Sequence, residues 1–194
     1  GRKENIQLLH EEGVIDFENQ KFNISDLPMH GKHNLSNAVI AMYAASLHGI
    51  SPKDSFLALK NSKGVKRRFE TVFQNDHKIV IDDFAHHPTA ISNTVQAATN
   101  YFPSKRILGI IELASNTMSQ GHHGEDLYES ASALGKAYWL NLSSQKNKEF
   151  EYDSIKLLVT DLEKDIDNFD VILIMSNKDS KKISEPIIDL IKNK

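Results

Sequence analysis

The segment Asp82-Asp83-Phe84-Ala85-His86-His87-Pro88 follows the apolar run Ile79-Val-Ile81 and concentrates ionisable groups at one place. Two carboxylates at the end of a strand can bind a metal, a cationic group or a ribose diol. A carboxylate accepts hydrogen bonds from two vicinal hydroxyls, as in dinucleotide-binding folds. Adjacent histidines can ligate a metal, but chain neighbours point to different sides, which favours one functional and one structural imidazole. The plain alternative is a polar turn. A second segment, Gly64-Val-Lys-Arg67-Arg68-Phe-Glu70, reads either as a solvated basic linker or as a phosphate contact, because the guanidinium fork matches phosphate oxygens.

Two further segments carry polar groups at usable spacing. In Gly31-Lys-His-Asn34-Leu-Ser-Asn37-Ala38, Asn34 and Asn37 are three apart and share a face of one helical turn. They read as an N-cap plus a packing amide, or as two amides facing a base or phosphate at a helix N-terminus. Ser115-Asn116-Thr117-Met118, with Gly121-His122-His123-Gly124 after it, has the polar, glycine-flanked character of a binding loop. The His122-His123 pair on its own reads as solvent-exposed rather than ligating.

The elements that must position these groups are legible in the patterning. Residues 1–30 hold strand-sized apolar pieces separated by Glu12-Gly13 and Glu18-Asn-Gln20, which fit turns. A helix follows, with Asn34 as its N-cap, Leu35, Ala38, Val39, Met42 and Ala45 on one face, and Gly49 as its stop. Ser51-Pro52 opens a second helix running to about Asn61. The basic, glycine-containing stretch 62–68 is the expected domain boundary. Beyond it, strands at 69–73, 78–81, 106–111, 137–140 and 170–175 alternate with helices opening at Pro88 and over 125–134, 154–165 and 184–192. That order predicts an α/β, Rossmann-like domain with a mostly parallel sheet, its ligands beyond the carboxyl ends of the strands. The loops after Ile81, Ile111 and Met175 are therefore where function is expected.

Composition limits the classes. The chain has 194 residues, 40% apolar and 25% charged, enough for a core without covalent or metal staples. Twenty-three Lys and Arg against 26 Asp and Glu give a net charge of −3, which argues against a basic nucleic-acid binder. There is no cysteine, which excludes disulfides, cysteine-based zinc sites and a thiol nucleophile. Nine histidines without a regular ligand spacing give no metal site. No apolar run approaches the ~20 residues of a bilayer span, and the start lacks a signal-peptide core. A cytoplasmic protein with no membrane partner is expected. The first residue is not Met, which is in keeping with a fragment of a longer chain.

Taken together, Gly31-Lys-His-Asn34-Leu-Ser-Asn37-Ala38, Arg67-Arg68-Phe69-Glu70 and Asp82-Asp83-Phe84-Ala85-His86-His87-Pro88 resemble the Mur ligases in order and spacing. Within that family, Val65-Lys-Arg-Arg68, the stretch 82–91, Ser115-Asn-Thr-Met118 and Met175-Ser-Asn177 resemble the branch that joins the recycled murein tripeptide L-alanyl-γ-D-glutamyl-meso-diaminopimelate to UDP-N-acetylmuramate. The resemblance implies an ATP-dependent amide-bond ligase acting through an acyl phosphate. Residues 1–66 would be the tail of its central ATPase domain and 67–194 its C-terminal domain. It implies ATP and Mg2+ as cofactors, the magnesium ligands lying mainly in N-terminal and central portions outside this sequence. It places Asn34 and Asn37 near adenine and phosphate, Arg68 on the ATP phosphates and Asp83 on the ribose. His86 and His87 would sit near the same cleft, with His87 grouped with Arg68 and Asp83 as catalytic. Ser115, Asn116, Thr117, Ser176 and Asn177 would meet the substrate. No Gly-x-x-x-x-Gly-Lys-[Ser/Thr] loop occurs, so these residues alone are expected not to ligate.

Two departures bear on substrate choice. The tripeptide branch usually reads Glu-Pro-Arg-Ser-Asn-Thr-Met where this chain has Glu112-Leu113-Ala114-Ser-Asn-Thr-Met118. A glycine-rich stretch is replaced by Lys178-Asp-Ser-Lys181-Lys182, whose lysines are candidates to supply the lost positive charge. The alternatives are the L-alanine-adding branch of the same family and a non-catalytic nucleotide- or peptide-binding homologue.

Overall fold

Residues 6–9, 13–113, 124–141 and 150–194 are described in a computed structural model of the chain. It divides into two compact units, 1–66 and 67–194. In the first, β1 (Ile6–Leu9), β2 (Val14–Phe17) and β3 (Gln20–Asn23) form an antiparallel meander. Glu18 and Asn19 both take positive φ (49° and 64°), the twist a two-residue hairpin requires. Helices α1 (Lys32–Ser46) and α2 (Pro52–Lys60) follow. Ile15, Phe17, Leu27, Leu35, Ala38, Met42 and Phe56 make one core. Ser51 caps α2 by accepting from the Asp54 amide, and Pro52 sits where no donor is needed.

One start differs from expectation. Helix α1 begins at Lys32, with Gly31 as N-cap at φ 88°, a conformation that favours glycine. Asn34 lies inside the first turn and donates its amide to the His30 carbonyl at 2.8 Å.

The second unit is an α/β domain built on a six-stranded sheet of order β4-β5-β9-β6-β7-β8. Its strands are β4 (Glu70–Gln74), β5 (Ile79–Asp83), β6 (Ile107–Glu112), β7 (Lys136–Leu140), β8 (Glu151–Tyr152) and β9 (Val171–Met175). Only the β4–β5 pairing is antiparallel; the other pairs run parallel. Helices α3 (Pro88–Tyr101) and α4 (Gly124–Glu129) place Ile91, Val95 and Leu127 in one core, and α5 (Ile155–Asp165) and α6 (Lys181–Lys192) place Leu158, Leu162, Ile183 and Ile187 in the other.

Strand periodicity sorts the side chains. Val171, Leu173 and Met175 enter the first core, Ile172 and Ile174 the second. A strand buried on both faces reads as an unbroken apolar run, as β9 does. At Gly109 of β6 a Cβ would lie 2.6 Å from Leu134 Cδ1, so the glycine admits the turn after α4.

Three expectations are adjusted. Helix α4 stops at Glu129 rather than 134, because residues 130–134 tighten into turns in which Ala131, Ser132 and Leu134 donate to carbonyls three residues back. Helix α6 starts at Lys181, three residues early, with the Ser184 amide bonded to the Ser180 carbonyl. The two-residue edge strand β8 is too short to carry a sequence pattern.

Candidate functional site

In the second unit the chain leaves β5 and β6 toward helices on one face and leaves β9, which lies between them, toward α6 on the other. The carboxyl ends of these three strands thus form the reversal at which open α/β sheets bind ligands. Asp82 and Asp83 end β5, Glu112 ends β6, and Ser176 follows β9.

The adjacent aspartates do not act as a pair. Alternation along β5 sends them to opposite faces. Asp83 is 1% exposed, and both of its oxygens are taken. Oδ2 accepts from the Phe69 amide at 2.8 Å, while Oδ1 accepts from the Ala85 amide at 2.8 Å and from Thr94 Oγ1 at 3.1 Å. One carboxylate thereby joins the 67–69 segment, the loop after β5 and helix α3. Asp82 faces the other side, where its Oδ2 accepts from Ser180 Oγ at 2.6 Å and lies 3.4 Å from Arg67 Nε. Its Oδ1 is buried without a partner. Burial pushes the Asp82 carboxyl above the usual range, and the Ser180 bond and Arg67 charge work against that.

Arg67 and Arg68 separate in the same way. Arg67 and Phe69 both have positive φ (57° and 56°), a kinked path held by Arg67 N on Glu70 Oε2, by Phe84 N on Arg67 O and by the Asp83 bond to Phe69. The Arg67 guanidinium turns inward and donates to the Ser176 carbonyl. Arg68 is exposed, its guanidinium carbon 5.6 Å from the Phe84 ring centre. The opposing constraints leave Arg67 as a brace and Arg68 as a cation at the edge.

The histidines also differ. His86 Nδ1 lies 2.9 Å from the Phe84 carbonyl, which can only accept, so that nitrogen carries the proton and Nε2 is the acceptor in the neutral ring. Its ring meets Phe84 edge-on at 5.3 Å. His87 is exposed and occupies the N-cap position of α3 without a side-chain cap bond.

Ser176 is fully buried, and its hydroxyl donates to Glu112 Oε2 while accepting from the Lys178 amide at 2.9 Å. Asn177 Oδ1 is buried without a partner. Leu113 is a core residue whose amide donates to the Leu140 carbonyl at 2.8 Å, a bond that a proline there would forfeit. Ser115, Asn116, Thr117, His122 and His123 lie outside the described residues.

Asn34 and Asn37 belong to the first unit and are not presented alike: Asn34 is buried and bonded to His30, and Asn37 is exposed. Glu112, Ser180 and the Arg67–Asp82 pair were not singled out by sequence reasoning. Glu112 had a signal, since it is the charged residue that ends a strictly apolar strand. Ser180 had none.

These positions decide which groups fit. Arg68, exposed beside Phe84, fits a phosphate oxygen. Asp83 is 1% exposed and three donors take three of its four lone-pair sites, which leaves no pair of acceptors for a ribose diol. Among the described residues no three His, Asp or Glu side chains converge to hold a metal ion. Among those residues no helix is long and apolar enough to cross a membrane.

Comparison with known proteins agrees with this architecture. The family described as Mur ligase, glutamate ligase domain matches residues 67–146. The UDP-N-acetylmuramate–L-alanine ligase of Christiangramia forsetii is 36% identical over 143 residues, covering 72% of this chain and 31% of that protein. The UDP-N-acetylmuramate–L-alanyl-gamma-D-glutamyl-meso-2,6-diaminoheptandioate ligase of Haemophilus influenzae is 41% identical over 108 residues, 55% of this chain and 23% of its own. Among solved structures, the murein peptide ligase of Psychrobacter arcticus superimposes with a TM-score of 0.69 at 28% identity, over 97% of this chain and 44% of that one. The chain thus spans less than half the length of each of these three relatives. By the family match and by the shared sheet, its second unit is a Mur ligase C-terminal domain.

Proposed function

We propose that this chain is the C-terminal part of an ATP-dependent ligase that joins an amine-bearing amino acid or peptide to the carboxylate of UDP-N-acetylmuramate. The observation that carries it is the carboxyl edge of the β5-β9-β6 sheet, where Arg68 stands exposed beside Phe84 on a braced segment. Bound ATP would supply the phosphoryl group that turns the muramate carboxylate into an acyl phosphate. The amine then attacks the acyl carbon, the C–O bond to phosphate breaks, and inorganic phosphate leaves as the amine gives up a proton.

The residues of this chain supply position and charge. Arg68 offers the guanidinium to phosphate oxygens. Arg67 and Asp83 hold the segment that carries it. His86, with Nε2 as acceptor, lies beside Phe84 on the same edge, and His87 stands at the start of α3 as a further polar contact. Residues 1–66 would be the tail of the central ATPase domain, with Asn34 bracing its first helix and Asn37 offering an amide toward the nucleotide. Asn177 would meet the incoming substrate, and Ser176, buried beside Glu112, would position the groups around it.

For that substrate we favour the tripeptide L-alanyl-γ-D-glutamyl-meso-diaminopimelate, on the likeness to the Psychrobacter enzyme across both units. The second reading is L-alanine, favoured by the identity to the Christiangramia enzyme over a longer stretch than to the Haemophilus one. Phosphate release by the longer protein, given ATP, Mg2+ and UDP-N-acetylmuramate, distinguishes them. Turnover that requires tripeptide supports the first reading, turnover with L-alanine alone the second. Turnover with neither refutes the ligase function.

A further inference from the structure

The two crevices beside β9 are chemically unlike. The one toward β5 is closed by the Arg67 guanidinium, which reaches both Asp82 and the Ser176 carbonyl. The one toward β6 holds Glu112, 7% exposed, whose partner among the described residues is the neutral Ser176 hydroxyl. No cation is paired with Glu112 among those residues. A buried carboxylate without a cation is costly, and a buried amide oxygen without a donor adds to the cost. On the residue that follows Ser176, Asn177 Oδ1 is buried without a partner. Each such group in a natural fold calls for an explanation, and a bound ligand is one that accounts for both.

What would relieve them is a group with several N–H donors and a positive charge. Resting on the ligase function proposed above, we propose that Glu112 and Asn177 form the subsite for the amine of the incoming nucleophile. Glu112 pairs with its ammonium form on arrival and Asn177 Oδ1 accepts one N–H; the nitrogen then releases one proton to solvent before it attacks and a second as the amide forms. Ser176 acts as the positioning residue, its hydroxyl orienting the Glu112 carboxylate while the Lys178 amide fixes that hydroxyl. The subsite does not depend on which substrate is correct, because L-alanine and the L-alanyl tripeptide present the same kind of α-amine. It also explains why a carboxylate, rather than another apolar residue, ends a strand buried on both faces.

The test is steady-state kinetics on the longer protein, with ATP and amine substrate varied separately. Glu112→Gln keeps the shape and removes the charge. It is expected to raise the KM for the amine at least tenfold while the KM for ATP stays within twofold. Glu112→Asp is expected to recover part of the loss. Asn177→Ala is expected to raise the amine KM severalfold and serves as the deciding variant if Glu112→Gln does not fold. An unchanged amine KM in folded Glu112→Gln, or in Asn177→Ala where that variant decides, overturns the inference and leaves the ligase function standing. A wild-type protein that turns over neither amine removes both.

Discussion

Replacing Asp83 by Asn separates a carboxylate that holds the fold from one that holds a nucleotide. The native side chain accepts from Phe69 N, Ala85 N and Thr94 Oγ1, all at 2.8–3.1 Å and nearly out of contact with solvent. An asparagine of the same shape keeps one acceptor oxygen. Its NH2 group must face either the Phe69 amide or the Ala85 amide, donor against donor. Hydrogen bonds to a charged group contribute roughly 1.5–3 kcal/mol each, and a buried donor left unmade costs about 1–3 kcal/mol. The substitution should therefore destabilise the second unit by about 3 kcal/mol. The chain's one tryptophan, Trp139, lies in β7, 5% exposed and 4.8 Å from the Tyr128 ring, so its fluorescence reports that unit. With a urea slope of about 2 kcal/mol/M, the midpoint should fall by about 1.5 M. A fall below about 0.4 M would refute the latch. If the ATP KM then rose tenfold, the carboxylate would belong to the nucleotide after all.

Arg68→Ala should raise the KM for ATP at least tenfold in the longer protein while moving the urea midpoint by less than about 0.3 M, since exposed side chains contribute little to stability. Gly109→Ala should destabilise the second unit by about 1–3 kcal/mol, because the added methyl meets Leu134 Cδ1 at 2.6 Å, and calorimetry measures the loss. The Asp170 carboxyl is held below the usual range, first by its bond from the Arg106 backbone amide and then by the Arg106 side chain. A depressed carboxyl means the unfolded chain binds the extra proton, so this stabilisation is present above about pH 4 and disappears as pH falls through the folded value. Asp170→Asn should flatten the acid limb of the stability profile below about pH 4.

The sheet of the second unit was legible because its strands are buried on both faces. Val171-Ile-Leu-Ile-Met175 and Ile107-Leu-Gly-Ile-Ile111 read as interior strands by their length and β-branched content, and Ser154 and Pro88 mark helix starts by their own chemistry. The short edge strand at Glu151–Tyr152 and the early start of α6 were not legible, since two residues show no period and Ser180 has no local mark. The antiparallel edge strand β4 was legible as well, because only the short polar stretch Gln74-Asn-Asp-His77 joins it to β5, and there the Asn75 side chain accepts from the His77 and Lys78 amides.

Residue types alone pointed to the ends of β5, β6 and β9, and to carboxylates, guanidinium groups, amides and imidazoles there. How each member of a pair is presented, engaged within the fold or left at the surface, was decided by the tertiary structure. Asp82 and Asp83 read as one acidic site, yet strand alternation turns them to opposite faces, and the hydrogen bonds that engage Asp83 come from Phe69, Ala85 and Thr94, up to 14 residues away. Arg67 and Arg68 read as one basic site, yet a left-handed backbone and a carbonyl 109 residues away draw Arg67 inward and leave Arg68 at the surface. A sequence reports which groups are neighbours along the chain. The partners that satisfy or orphan a buried charge come from distant segments, and only the fold brings those together.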